Sequence, residues 1–295
     1  MTKEIKRKYL NILGVKIFST SKEGVIREIV SFINNDKKFF VVTPNPEQLI
    51  MAYEDELYRD ILNSADISFP DGIGIVAAAK YFSLPRPKHF LKRVFVSFVQ
   101  GLGVAFSILF DNNWLQSEAK LIKGREVFVE LIKYSNKKGW KVILLGDRNL
   151  SAQKAAKRLK ENYIQLKVLG LTGPNLKNNA EPETKEDKEI ENKVISKINQ
   201  EKPDILFIGF RAPVQEKWLY RWYKELNFKC AMVVGGTFDY ISGKKPLPPK
   251  WIEDINLEWF WRLLKGDQKI KRIIKAFPEF ALRVYWEKLV KNSDD

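Results

Sequence analysis

The residues of this chain whose types can do chemistry gather in four short segments. TPNPEQ, Thr43 to Gln48, offers a hydroxyl, an amide and a proline-set turn. ADISFPDGIGIV, Ala65 to Val76, carries Asp71 on an Asp-Gly turn, with Gly72 and Gly74 bare enough for backbone to come close to a ligand. GFRAPVQEKW, Gly209 to Trp218, sets Gln215 and Glu216 near a helix start, where polar side chains can read a base or a sugar. VVGGTFDYISG, Val233 to Gly243, contains Gly235 and Gly236, a pair resembling a phosphate-approach loop. A carboxylate on a turn, as Asp71 is, can act as a general base once a substrate hydroxyl comes within hydrogen-bond reach. Taken singly, each segment reads as architecture before it reads as chemistry: a proline turn with a helix cap, or a strand running into a glycine turn. A lone G-x-G is a weak nucleotide signal.

Other chemistries are excluded by what the chain lacks. His89 is the sole histidine, which removes histidine triads, HExxH sites and histidine clusters. No GxxxxGK[ST] loop is present, and no Asp-x-Asp motif at a strand end to hold a divalent ion against a nucleotide diphosphate. A counter-charge for a leaving diphosphate therefore has to come from side chains. Lys and Arg number 51 against 36 Asp and Glu, a net charge of +15, which favours polyanionic company: nucleic acid, anionic lipid or phosphorylated ligands. The C-terminal stretch adds Trp251, Trp259, Trp261 and Trp286 to its basic side chains, a combination suited to a membrane interface. Cys230 is the only cysteine, so no intramolecular disulfide can form and a reducing compartment fits. The charged N-terminus has no apolar secretory core, and a cytoplasmic location is expected.

The elements that must position these segments alternate. An apolar strand near Ile12 to Phe18 precedes a helix capped by Ser21, then comes the strand Phe39 to Val42 and a helix from Glu47 to Asn63. KVILLGD (Lys141 to Asp147), DILFIGF (Asp204 to Phe210) and CAMVVGG (Cys230 to Gly236) read as buried parallel strands ending in glycine. Asn178 to Lys193 is a solvated loop and helix start. The pattern predicts an α/β fold: a Rossmann-like parallel sheet flanked by helices, spanning 1–243, with a basic helical appendage over 244–295 behind the proline-rich connector KKPLPPK. All four chemical segments then fall at strand ends, along one edge of one sheet, where a nucleotide-type ligand would lie.

One region breaks the alternation. Ser83 to Lys120 contains HFLKRVFVSFVQGLGVAFSILF, apolar but interrupted by Lys92, Arg93 and Gln100. It falls short of about 20 clean apolar residues for a span. An amphipathic or re-entrant insert that contacts the membrane is preferred over a buried helical pair or a true span.

TPNPEQ, ADISFPDGIGIV, LLGD, GFRAPVQEKW, GGTFDYISG and NLEWFWRLL occur in the order seen in the WecG/TagA/CpsF glycosyltransferases, glycosyltransferase family 26, which the chain resembles from about residue 10 to 275 apart from the insert. The resemblance implies an inverting, metal-independent transfer of N-acetylmannosamine or its uronic acid from a UDP-sugar. The acceptor it implies is N-acetylglucosaminyl-diphospho-undecaprenol, at the inner face of the cell membrane, for teichoic acid or surface polysaccharide synthesis. It makes Asp71 the base and Thr43 its catalytic companion, with Asn45, Gly72, Gly74, Gln215, Glu216, Gly235 and Gly236 around the donor. It assigns Arg262, Lys269 and Arg272 to the diphosphate and acceptor, and it admits a homo-oligomer.

The chain departs from the family pattern at several basic positions. Lys269 stands where arginine is usual, which keeps the charge but loses the bidentate fork. Pro246 and Leu247 replace a Lys-Arg pair, although Lys244 and Lys245 lie just upstream. Leu121 occupies an expected arginine position, with Lys120, Lys123 and Arg125 near it as substitutes. Two other classes remain open from the sequence: a non-catalytic lipid- or nucleotide-sugar-binding scaffold of the same fold, and a basic nucleic-acid-binding protein. No nucleic-acid motif is present, and Asp71, Thr43 and Asn45 are all retained.

Overall fold

Strands that are apolar at every position have to be covered on both faces, and the sheet of this protein is built from such strands. The computed structural model describes residues 8–258, 261, 264–265 and 274–290. The chain opens with an antiparallel hairpin, β1 (Tyr9–Ile12) and β2 (Val15–Phe18). This corrects the single strand expected from Ile12 to Phe18: Leu13 and Gly14 turn the chain at positive φ, and glycine takes that conformation without a steric penalty. Next come α1 (Lys22–Asn34), capped by Ser21 Oγ accepting from the Gly24 N–H at 3.2 Å, and β3 (Phe39–Val42).

The helix expected over Glu47 to Asn63 is two helices, α2 (Pro46–Glu54) and α3 (Glu56–Ser64). Asp55 separates them because its side chain does more as a cap than as a helical residue. It takes an extended conformation, accepts from the Tyr58 N–H at 3.0 Å and pairs with Lys217 at 2.5 Å.

The chain continues through β4 (Ile67–Ser68), α4 (Ile73–Ser83), α5 (Phe90–Phe110), α6 (Asn112–Leu115) and α7 (Gly124–Lys138). Then follow β5 (Lys141–Gly146), α8 (Ser151–Asn162), β6 (Lys167–Thr172), α9 (Lys185–Glu201), β7 (Ile205–Gly209), α10 (Val214–Trp222) and β8 (Cys230–Val233). After α11 (Thr237–Ile241) and α12 (Lys250–Asp254), the last described elements are a π-helical turn, Lys275–Glu279, and α13 (Phe280–Val290).

Six strands form one wholly parallel sheet in the order β4-β3-β8-β7-β5-β6. Its alternation sorts side chains between two cores. Phe40, Val42, Leu206 and Ile208 join Leu49, Tyr58, Ile75 and Trp218 on one face; Phe39, Val41, Ile205 and Phe207 join Val127, Phe128 and Leu131 on the other. Burial of residues of this size contributes about 1.5–3 kcal/mol each, so the sheet edge is a stiff base for a site. Cys230 lies at zero exposure within it, and burial pushes its thiol up, which marks it as a core residue rather than a nucleophile.

The apolar insert is one continuous helix, α5, and not a buried helical pair. Among the described residues it is the one helix long and apolar enough to cross a membrane by length and composition. It is also docked on the protein by one stripe. The Tyr81 hydroxyl donates to the Ser97 carbonyl at 3.0 Å, Tyr285 to the Val94 carbonyl at 3.1 Å, and Lys288 to Gln100 at 2.8 Å. The opposite stripe, Leu91, Phe95, Phe98, Leu102 and Phe106, is exposed. In the described part of the appendage, α13 packs against α2, α4 and α5. The residues Arg262, Lys269 and Arg272 lie outside the described residues.

Candidate active site

Parallel strands direct their carboxyl ends to one edge, and the loops leaving them there are the natural ligand site. In this protein the loops after β3, β4, β5, β7 and β8 all line one cavity of about 740 Å³. Its wall includes Thr43, Asn45, Asp71, Gly72, Gly74, Gln215, Gly235 and Gly236.

The β3 and β4 loops are laced together by backbone. Phe69 N–H donates to the Val42 carbonyl at 3.3 Å, Asp71 N–H to Pro44 at 3.0 Å, and Ile122 N–H to Pro70 at 3.1 Å. Thr43 and Asp71 are thereby brought to the same point. A Cβ placed on Gly124 would lie 3.2 Å from Asp71 Oδ2 and 3.4 Å from Thr43 Oγ1, so the first residue of α7 is a glycine where the chain passes both side chains. That contact also sets the carboxylate beside the N-terminal end of a fifteen-residue helix.

A hydrogen-bonded chain then runs from the β3 loop to the β8 loop. Asn45 and Gln48 form a capping box, each accepting from the other's N–H at 3.0 Å. Gln48 Nε2 donates to Glu216 Oε1 at 2.9 Å, Gln215 Nε2 donates to the same oxygen at 2.9 Å, and Gln215 Oε1 accepts from the Gly235 N–H at 3.1 Å. Glu216 does not line the cavity. It lies fully buried beneath the wall, where burial pushes its carboxyl up to about 7 against the hydrogen bonds that favour the anion. Gln215 does reach the cavity, with its amide oxygen already held by Gly235.

Cations flank Gly124. Of the three basic residues near Leu121, Lys123 and Arg125 line the cavity; Lys120 does not, and Leu121 contributes an apolar wall. Arg125 pairs with Glu253 at 2.6 Å and with Glu258 at 3.6 Å, while Lys123 pairs with Glu258 and, at 3.7 Å, with Glu253. Lys245 also lines the cavity, whereas Lys244 pairs with Asp239 at 3.9 Å. Among the described residues, no group of three or more His, Cys, Asp or Glu stands in a metal-holding arrangement.

Sequence reasoning missed two further walls. Asp147 and Ser151 enter from the β5 edge, a place that the LLGD strand end signals. Gly101, Val104 and Ile108 of α5, with Phe280 and Val284 of α13, enter from helices whose apolar residues give no hint of facing a site.

A carboxylate, a hydroxyl and paired cations around a cleft at the carboxyl edge of a parallel sheet are the parts of a transferase. The family model described as glycosyl transferase WecG/TagA/CpsF matches residues 10–96 and 88–294. The chain belongs to that family and is a glycosyltransferase. Its similar relatives include the N-acetylglucosaminyldiphosphoundecaprenol N-acetyl-beta-D-mannosaminyltransferase of Bacillus subtilis (strain 168), 28% identical over 274 residues that cover 90% of this chain and 89% of that protein. The protein of the same name from Staphylococcus aureus (strain MRSA252) is 28% identical, with 93% and 91% covered.

Proposed function

We propose that this protein transfers an N-acetylhexosamine, N-acetylmannosamine or its uronic acid, from a UDP-sugar to N-acetylglucosaminyl-diphospho-undecaprenol, with inversion and without a metal ion. The observation that carries this reading is the meeting of Asp71 and Thr43 beside Gly124 at the sheet edge, in a cavity that also holds Lys123 and Arg125. Asp71 takes the proton of the acceptor hydroxyl as that oxygen bonds to the anomeric carbon, and UDP leaves from the opposite face with the electron pair of the broken C–O bond. Thr43 and the Asn45 amide hold the sugar, and the loop at Gly235 and Gly236 takes the nucleotide diphosphate. Lys245 supplies positive charge, Lys123 and Arg125 do so as phosphate oxygens displace their partners Glu253 and Glu258, and Arg262, Lys269 and Arg272 are assigned the acceptor diphosphate.

The exposed stripe of α5, with Trp251 and Trp286, rests on the cytoplasmic face of the membrane that carries the acceptor. Polymer assembly of the teichoic acid or surface polysaccharide kind then consumes the disaccharide-lipid. The test is incubation with a panel of UDP-N-acetylhexosamines and a polyprenyl-diphosphate-GlcNAc acceptor, with and without EDTA, followed by mass spectrometry of the lipid. One added N-acetylhexosamine, unaffected by EDTA, is expected; loss of product in EDTA contradicts the metal-independent reading.

A further inference from the structure

The cavity has two unlike ends. Around Asp71, Thr43 and Lys123 it is polar; at the other end it is walled by Ala78 and Tyr81 of α4, Gly101, Val104 and Ile108 of α5, and Val284 of α13. Nothing in a sugar nucleotide calls for such a surface. The apolar end is also not closed. Ala105 and Leu109 line the cavity and yet remain exposed, so the trough runs out to solvent along α5, on the helix whose other stripe exposes Leu91, Phe95, Phe98, Leu102 and Phe106.

Gly101 is the gap in this wall. A Cβ there would meet nothing closer than Tyr81 Cε2 at 3.8 Å, an ordinary contact, so the position admits a side chain at its root without a clash. The wall is held in place by polar bonds made at its back. The Tyr81 hydroxyl is spent on Ser97, and Lys288 donates to the Tyr81 carbonyl at 2.5 Å and to Gln100 at 2.8 Å, which leaves apolar atoms toward the trough.

We infer that this trough between α4, α5 and α13 is a subsite for the first isoprene units of the polyprenyl chain of the acceptor, and that α5 holds the lipid while it leads from the bilayer to Asp71. The inference rests on the acceptor proposed above. An amphiphile with a phosphorylated head and a branched hydrocarbon tail needs one cavity that is polar at one end, apolar at the other and open at the apolar side, which is the arrangement here. Burying isoprene units against alanine, valine and isoleucine also offsets the cost of drawing the lipid partly out of the bilayer.

The test uses the full chain and a polyprenyl diphosphate carrying a diazirine on its first isoprene units, with labelled peptides mapped by mass spectrometry. Labelling is expected on the stretches 77–84 and 101–108. Gly101→Leu, which fills the gap, should lower it by about tenfold and raise the acceptor KM by a similar factor, with UDP binding and kcat on a short-alkyl GlcNAc-diphosphate unchanged. Leu102→Glu on the exposed stripe should leave labelling in detergent at the wild-type level. Labelling confined to the outer stripe, labelling unmoved by Gly101→Leu, or equal losses on long and short acceptors would overturn the subsite. Labelling as expected with no transfer from any UDP-sugar would retain the subsite and overturn the proposed reaction.

Discussion

Two glycine pairs stand at the same sheet edge and do opposite things. Gly72 and Gly74 are hemmed in: a Cβ on Gly72 would lie 3.0 Å from Pro46 Cδ, one on Gly74 would lie 2.7 Å from Pro46 Cγ, and Gly72 holds φ at +144°. Gly235 and Gly236 have nothing within 4 Å of where a Cβ would be. The first pair lets protein close on protein, so that the turn bearing Asp71 is clamped on the Asn45-Pro46 turn. The second pair leaves room for something that is not protein. The same residue type thus builds a tight mount for Asp71, the proposed base, in one loop and leaves open space in the other.

That contrast can be broken in order of expected effect. Gly72→Ala forces a side chain into a disfavoured φ and against Pro46, a combined cost of about 2–5 kcal/mol. Thermal melting should show a drop of several degrees, and displacement of Asp71 should lower kcat by about 100-fold. A variant that melts and turns over like the parent would remove the clamp from the account. Gly236→Ala, at an ordinary φ of −76°, should melt with the parent while the donor KM rises by about tenfold. An unchanged donor KM would mean that the open space is not used.

The smallest effect on turnover concerns the residue that ties the two loops together. Glu216 has its carboxyl raised to about 7 in the folded protein, against an ordinary 4.5, so the folded state binds the proton more tightly than the unfolded chain does. Stability therefore falls as pH rises from 4.5 to 7 and is flat above, a loss of about 3 kcal/mol at most. Glu216→Gln should flatten melting temperature across that window and leave kcat within a few-fold of the parent. A slope that persists in the variant would place the titrating group elsewhere.

Much of this was legible in the chain itself. Apolar runs ending in glycine locate the strands, and the reason for two of those glycines is steric: a Cβ on Gly146 or Gly209 would press on the Ala152 or Phe238 side chain behind the strand ends. Chemical residues at successive strand ends had to share one edge, so Thr43, Asn45, Asp71, Gln215 and the Gly235 loop could be grouped from sequence. Other features depend on distant partners. Glu216 reads as a binding residue until its neighbours Gln48 and Gln215 are seen to bury it. The Arg125 pair with Glu253 spans 128 positions, and nothing local announces it. The length and apolarity of α5 are plain in its residues, but which stripe faces the cavity is set by Tyr81, Tyr285 and Lys288 on other helices.

The most direct test of the account is the kinetics of Asp71→Asn, measured as transfer to a polyprenyl-diphosphate-GlcNAc acceptor beside calorimetric binding of UDP. An asparagine keeps the size of the side chain and cannot take the proton, so transfer should fall by about 1000-fold or more while UDP binds as it does to the parent. Transfer within a few-fold of the parent would contradict the assignment of Asp71 as the base, and with it the mechanism built on this sheet edge.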